Sequence, residues 1–435
     1  MMIRSKLSEM LEDHDARYIV FQGVVSLTLK VLAGVSGFLL NLVVSRMLGA
    51  SDAGVFFIGL TLTSVLGILM QLGCDQAVTR RVGVYAMKRD HVAIAATRRS
   101  AFLLLGIGGL AGASLAGAML AMGQNWVAGS STALLIMCAA SLPFASSWLM
   151  AHFFLGIGRV AYYQLFQNLL VALLFVVGSW VWSRAGGGAS ALSAAACYLA
   201  ASLFTAFTAE AIWRVVLPKV RARSESLGIL AREAMPLFGI ASLGLVMTWA
   251  SQLILAVNAS SVDVAVFTVA LRTATLVSVV LTAGNSILLP RFAALYSQGN
   301  IAGLRRISVL STRLMLIVCA PAVLCLFLFP GKIMAIFGAE FATGGAVLAI
   351  LAAGQLVNVA TGAVGGLLNM TGNAGSAFKA NVAASLFMLA ATFTLVPAYG
   401  LLGAAAAQAS GLTVQMVLMS WYARRKLGFM PASIL

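Results

Sequence analysis

The chain has 435 residues, of which 61% are hydrophobic and only 9% charged, with a formal net charge of +16. That apolar fraction is more than a water-soluble core needs and excludes an ordinary soluble domain. The basic excess would suit nucleic acid in a soluble protein, but its distribution here makes it a topology signal, and no nucleic-acid partner is expected.

Residues 1–17 (MMIRSKLSEMLEDHDAR) are polar and mixed in charge, so no secretory signal precedes the first apolar stretch. They are expected to form a short helix on the membrane surface. Twelve apolar spans follow, at about 20–45, 54–74, 100–122, 131–154, 161–182, 190–213, 235–257, 264–289, 312–330, 345–369, 378–396 and 402–422. Their connections are short and leave no room for a soluble domain. The fold class expected is therefore an all-α polytopic membrane protein of twelve transmembrane helices.

Span 1 carries Lys30, and its helical face reads Gln22, Ser26, Lys30, Gly34, Gly37, Asn41, a stripe of small and polar residues. Pro143 in span 4 and Pro321 in span 9 should bend their helices. Tyr162, Tyr163, Gln164 and Asn168 open span 5, where an interfacial aromatic belt is the first explanation. Span 7 has Thr248, Trp249, Ser251, Gln252 and Asn258. Pro236 reads as a helix start, and Pro290, Pro330 and Pro397 as helix ends. Span 8 carries Arg272, with Thr268 and Thr275 a turn to either side. Span 10 repeats the polar stripe with Gln355, Asn358, Gly362, Gly365 and Asn369. Gly-rich and Ala-rich runs at 106–112 and 400–407 allow helix backbones to approach closely.

Numbering the connections on alternate sides, one side receives 23 of the 28 Lys and Arg. The other holds Arg46, Arg184 and Lys332, while Lys30 and Arg272 fall inside spans. Positive residues near span ends stay cytoplasmic, so both termini are expected inside, in an inner (plasma) membrane.

The run Asp52–Leu60 (DAGVFFIGL) recurs without a gap as Asp263–Leu271 (DVAVFTVAL), 211 positions later. Arg80 then answers Arg291, Tyr85 answers Tyr296, Thr97-Arg98 answers Thr312-Arg313, Asn168 answers Asn381, and Gly187 answers Gly400. An ordered series of this kind indicates an internal duplication, with an N-terminal lobe at 1–220 and a C-terminal lobe at 221–435. Six spans in each would put both lobes in the same orientation, related by an axis along the membrane normal. Duplicated halves in a membrane protein point to a transporter with its substrate path between them.

Lys30 and Arg272 are the sharpest chemical signal. A cation at mid-bilayer costs about 2.5–3.5 kcal/mol on insertion scales, so each must face a wet cavity or a partner. No Asp or Glu is placed at comparable depth by the sequence, since Asp75, Glu210 and Asp263 all read as span ends. The pair therefore suggests a cavity for an anionic substrate, against a structural role with the side chains snorkelling or bonded to carbonyls. The amides of spans 1, 7 and 10, among them Asn41, Gln252, Asn258, Asn358 and Asn369, suit a sugar-bearing headgroup, though polar residues also hold helices together. His14, His91 and His152 form no metal-ligating pattern, and no P-loop, H-E-x-x-H or G-x-S-x-G occurs. Neither a cofactor nor an enzymatic role is expected. The five cysteines are scattered through apolar spans and read as packing residues.

With these residues laid out, the chain resembles the polysaccharide transporter (Wzx-type) branch of the multidrug/oligosaccharidyl-lipid/polysaccharide (MOP) flippase superfamily, over nearly its whole length. Asn41-Leu-Val-Val-Ser-Arg46-Met-Leu-Gly49 is similar to the family's xxLxARxLG, and Asp52–Leu60 to its xxxGxYxxxx, with Phe56 for the usual Tyr. Val266-Phe-Thr-Val-Ala-Leu-Arg272 is similar to xYxxAxRL, again with Phe for Tyr, and Leu289-Pro-Arg-Phe292 to xxPxxA. Pro397-Ala-Tyr-Gly400 with Gly403-Ala-Ala resembles the late P-x-Y/W-G-x-x-G-A-A turn. The resemblance implies two six-helix bundles in a V, with Lys30, Arg46 and Arg272 lining a central cavity. It implies a flippase for a polyprenyl-pyrophosphate-linked oligosaccharide, with membrane lipids, a coupling ion (H+ or Na+) and polysaccharide polymerase or export components as further partners. Two other readings compete. A cation-coupled drug antiporter of the same superfamily would want an embedded acid in the first half. A sugar polymerase or ligase would want a sizeable outer loop, and the longest outer connection is 331–344.

Overall fold

Within hydrocarbon every backbone N–H and C=O must be satisfied inside its own segment, and long runs of Ala, Leu, Val and Gly do this as helices. A computed structural model describes residues 14–122, 131–217 and 227–430, and among these no strand occurs. The expected surface segment up to residue 13 and the proposed lobe boundary at 220/221 lie outside the described residues.

In the first half the helices are α1 (His14–Met70), α2 (Cys74–Met87), α3 (His91–Met122), α4 (Ser131–Gly156), α5 (Val160–Gln164), α6 (Leu170–Arg184) and α7 (Ala191–Val216). A π turn at Leu165–Leu169 joins α5 to α6. The second half continues with α8 (Leu227–Asn258), α9 (Ser261–Thr275), α10 (Ser278–Ser297), α11 (Ile301–Leu328), α12 (Pro330–Ala335), α13 (Gly345–Thr361), α14 (Val364–Met370) and α15 (Ala374–Leu427). A 3-10 turn at Ala339–Gly344 precedes α13.

Among the described residues, eight helices are long and apolar enough to cross a membrane, or nine if the bent α5–α6 pair is one span. The chain is thus a multi-pass membrane protein. The count differs from the twelve stretches of the sequence for physical reasons. Helices α1 and α15, of 57 and 54 residues, each count once although both turn sharply at a glycine. Gly49 has φ 72° and ψ 176°, and Gly400 has φ 54° and ψ −125°, conformations that Cβ-bearing residues rarely adopt. The stretch expected at 264–289 is not continuous either. It breaks between α9 and α10, where Leu276 and Val277 bond back only three residues, to Thr273 and Ala274.

The prolines also depart from expectation. Pro236 and Pro290 lie inside α8 and α10 rather than at their ends, and Pro330 begins α12. Pro397 sits inside α15, just before the Gly400 turn, while α4 and α11 run on through Pro143 and Pro321.

Helix α1 packs against α4 and α7 in its own half and against α9 in the other, and α15 packs on α8 and α13. The core runs through both halves, from Phe56, Phe175 and Tyr198 to Phe267, Phe337 and Phe341. The repeated runs meet face to face. A Cβ added to Gly54 would lie 1.8 Å from the Ser261 carbonyl oxygen, so only glycine permits this approach. The same end of the molecule carries two further contacts between the halves. Arg46 donates from Nε to the Ile336 carbonyl at 2.9 Å, and Phe38 meets the Phe337 ring edge-on with centroids 5.5 Å apart.

Candidate functional site: a charged cavity between the halves

At the other end of α1 the two halves part around a cavity of about 800 Å³. One wall is the stripe read from the sequence: Lys30, Gly34, Gly37 and Asn41 of α1 all line it. Small residues at the two glycines keep that face concave. The Gln22 and Ser26 side chains, which would continue the stripe, fall outside the described residues. Opposite, α8 contributes Thr248 and Trp249, and α9 contributes Arg272 and Thr275 directly before the helix break. A broken helix beside a wet cavity is the arrangement in which membrane transporters expose polar backbone near the bilayer midplane.

Arg272 is half-buried, and its guanidinium carbon stands 5.0 Å from the centroid of the Trp249 ring. A desolvated cation–π contact is worth about 2 kcal/mol, which offsets part of the cost of holding the charge there without neutralising it. Among the described residues the ion pairs are Arg81–Glu233, Arg98–Glu210 and Arg214–Glu210, none of which uses Lys30 or Arg272. Both charges remain available to a ligand. Asn41 donates from Nδ2 to the Gly37 carbonyl at 2.6 Å, while its buried Oδ1 lacks a hydrogen-bond partner. A buried acceptor left without a partner is costly, and Asn41 itself lines the cavity wall.

Of the eight residues the sequence nominated for substrate, the structure brings Lys30, Asn41 and Arg272 together and places five elsewhere. Arg46 is exposed at the closed end, held by the Ile336 carbonyl, because the α1 stripe stops at Asn41 and Arg46 lies beyond it toward the Gly49 turn. Gln252 is buried between the halves, donating to Thr268 Oγ1 at 2.7 Å and to the Phe57 carbonyl at 3.4 Å. Asn258 is exposed at the end of α8, bonded to its own helix at Ile254. Asn358 belongs to a polar cluster inside the second half, with Gln355 and Ser278. Asn369 is exposed at the end of α14. Polar spacing on a helix marks a polar face but does not say whether that face meets a cavity or another helix.

The sequence also passed over residues that the cavity includes. Trp148 and Phe144 of α4 line it, as do Gln164 at the end of α5 and Gln167 in the π turn. Most consequential is Asp75, the second residue of α2, which reads as a span end but faces the same cavity as Arg272. Leu72 and Gly73, both with positive φ (50° and 76°), turn the chain so that α2 restarts against the cavity wall. Its neighbourhood includes His152, whose Nδ1 lies 2.9 Å from Thr79 Oγ1.

No family model matches the sequence, and no curated protein does. Solved structures do match in shape. An inward-facing multidrug resistance MATE family transporter of the MOP superfamily superposes with a TM-score of 0.75 at 14% identity, over 93% of this chain and 98% of that one. The lipid II flippase MurJ, in an inward closed conformation, gives 0.74 at 12% identity over 93% and 87% of the two chains. The chain shares its fold with these two solved transporters. An outward-facing MATE family transporter gives only 0.59, at 16% identity over 93% and 95%. The inward-facing structure thus superposes on this chain better than the outward-facing one.

Proposed function

We propose that this protein is a flippase carrying a polyprenyl-pyrophosphate-linked oligosaccharide across the inner membrane for polysaccharide biosynthesis and export, by alternating access. The observation that carries the reading is the pairing of Lys30 and Arg272 across one cavity, with neither charge held in an ion pair among the described residues. A diphosphate meets both cations, the sugars occupy the polar volume beside Asn41, Gln164 and Gln167, and the lipid tail stays in the bilayer. The likeness in shape to a lipid II flippase supports a substrate of this size and kind.

Dividing α1 at Gly49 and α15 at Gly400, joining α5 to α6, α9 to α10 and α13 to α14, and leaving out the short helices α2 and α12, gives twelve crossings. Six belong to each lobe, divided near residue 220, with both termini cytoplasmic. The lobes rock about the cavity, and the sealed end is the outer mouth.

A drug antiporter of the same superfamily is the second reading, favoured by Asp75 in the cavity and by the MATE neighbours. Polysaccharide export in cells lacking the native gene separates the two. Arg272→Ala should abolish export while the protein inserts and accumulates, and Arg272→Lys should restore part of it. Full export with the alanine variant rules out charge recognition at Arg272.

A further inference from the structure

We infer that Trp148, backed by Phe144, and the amides of Gln164 and Gln167 form a subsite that holds a sugar ring of the substrate, on the first-half wall of the cavity. This rests on the flippase reading and adds the residues that tell a glycosylated lipid from a bare one. A volume of about 800 Å³ falls in the range of small-molecule pockets and leaves room beside a diphosphate held at Lys30 and Arg272. The lining of that room decides what it takes.

Trp148 lies about two turns inside α4 and is half-buried in the cavity wall, not at the end of a span where an interfacial tryptophan anchors. Its ring is held from behind. Phe144, one turn earlier, stands with its centroid 5.6 Å away and its plane tilted by 50°. Phe144 is itself pinned, since a Cβ on Gly67 of α1 would lie 2.7 Å from its Cδ1. A buttressed indole offers a preformed flat face at little cost in ordering. Such a face packs against the C–H face of a pyranose, whereas its negative π surface gains nothing from a phosphate.

The polar part of the subsite is set beside it. One turn beyond Trp148, His152 meets the Tyr163 ring of α5 edge-on with centroids 5.3 Å apart, which fixes α4 against α5 just before Gln164. Gln164 ends α5, and Gln167 lies in the π turn, where the Leu170 N–H reaches back five residues to the Leu165 carbonyl. Single π turns of this kind are frequent at functional sites. An amide carries two donor and two acceptor positions, so each glutamine can serve a sugar hydroxyl while keeping a bond that positions it. In the second half the amides of Gln355 and Asn358 are engaged with Ser278 and with one another, which leaves this task to the first half.

The test compares two lipids on the full chain in nanodiscs: polyprenyl pyrophosphate, and the lipid-linked oligosaccharide extracted from the membranes in which the protein works. The wild type should retain the glycosylated lipid more tightly than the bare one. Trp148→Ala and Gln167→Ala should each shrink that preference about three- to tenfold, the scale of one aromatic contact or one hydrogen bond, with binding of the bare lipid unchanged. Trp148→Phe should keep part of the preference, and Lys30→Ala should weaken both lipids together. If Trp148→Ala does not accumulate, Trp148→Phe and Gln167→Ala decide. An undiminished preference in the variants overturns the proposal, and so does an equal loss of both lipids, which marks the residues as structural. The absence of any preference in the wild type overturns it as well, with the flippase reading left standing. Failure of the wild type to retain even the bare pyrophosphate contradicts the flippase reading itself and removes the subsite with it.

Discussion

Glu340 accepts the backbone N–H of Ala50 on its Oε2 at 2.8 Å, although 290 residues separate them. The Gly49 turn frees that N–H by starting a new helical segment in mid-helix, and such a donor needs a cap. The cap comes from the other half of the chain. A side-chain cap of this kind contributes about 1 kcal/mol, which is roughly a fivefold bias toward the sealed end. Glu340→Ala should raise the labelling of a cysteine at Lys30 by an impermeant reagent applied outside the cell, and Glu340→Gln should raise it less. Unchanged labelling in the alanine variant would mean that this cap does not hold the end shut.

Gly54 makes a sharper case at the same end. Its approach to the Ser261 carbonyl leaves no room for a methyl group, so Gly54→Ala must push the halves apart or distort α9. We expect Gly54→Ala to lose most transport while remaining inserted. The same exposed-cysteine assay should report an opened outer mouth, and normal transport would contradict the packing described.

The closeness of the two runs also sets a cross-linking test. Cysteines at Ser51 and Ser261, in a background lacking the five native cysteines, should be joined by a short reagent, and export should stop until the link is reversed. Pairs drawn from 50–53 and 260–263 extend the scan. Export unaffected by efficient linkage at every such pair would argue against alternating access between these halves.

What the sequence made legible, and what it hid, follows from the physics of each signal. Lys30 and Arg272 stood out because an unpaired charge in an apolar span is costly, and both do line the cavity. The span 1 stripe was readable because its period is helical and its small residues leave space. Gln252 and Asn358 were misplaced because amides hold helices together as readily as they face a cavity, as Gln252 does with Thr268, and Asn258 and Asn369 because they end their helices at exposed positions. Asp75 was missed because the break at Leu72–Gly73 looks like a span end, whereas the chain turns back into the wall. The break after Thr275 carries no Gly or Pro, so nothing local announces it.

Topology gives an independent check. If the basic partition sets the topology, the connections at 80–99 and 214–232 are cytoplasmic, and reporter fusions after Arg99 and after Arg232 should both read inside. A periplasmic signal at either would break the twelve-crossing scheme.

On the flippase reading, the cavity recognises the negative charge of a diphosphate at Lys30 and Arg272. A charge contact at 4 Å is worth about 4 kcal/mol at an effective dielectric near 20, and desolvation removes much of this. Losing one such contact should still weaken binding about tenfold or more, since tenfold is only about 1.4 kcal/mol. The direct measurement is binding of a polyprenyl pyrophosphate and of the uncharged polyprenol to the purified protein. We predict that the wild type retains the pyrophosphate but not the polyprenol, and that Lys30→Ala and Arg272→Ala each weaken pyrophosphate binding at least about tenfold. Equal retention of both lipids, or pyrophosphate binding indifferent to both substitutions, would contradict the account.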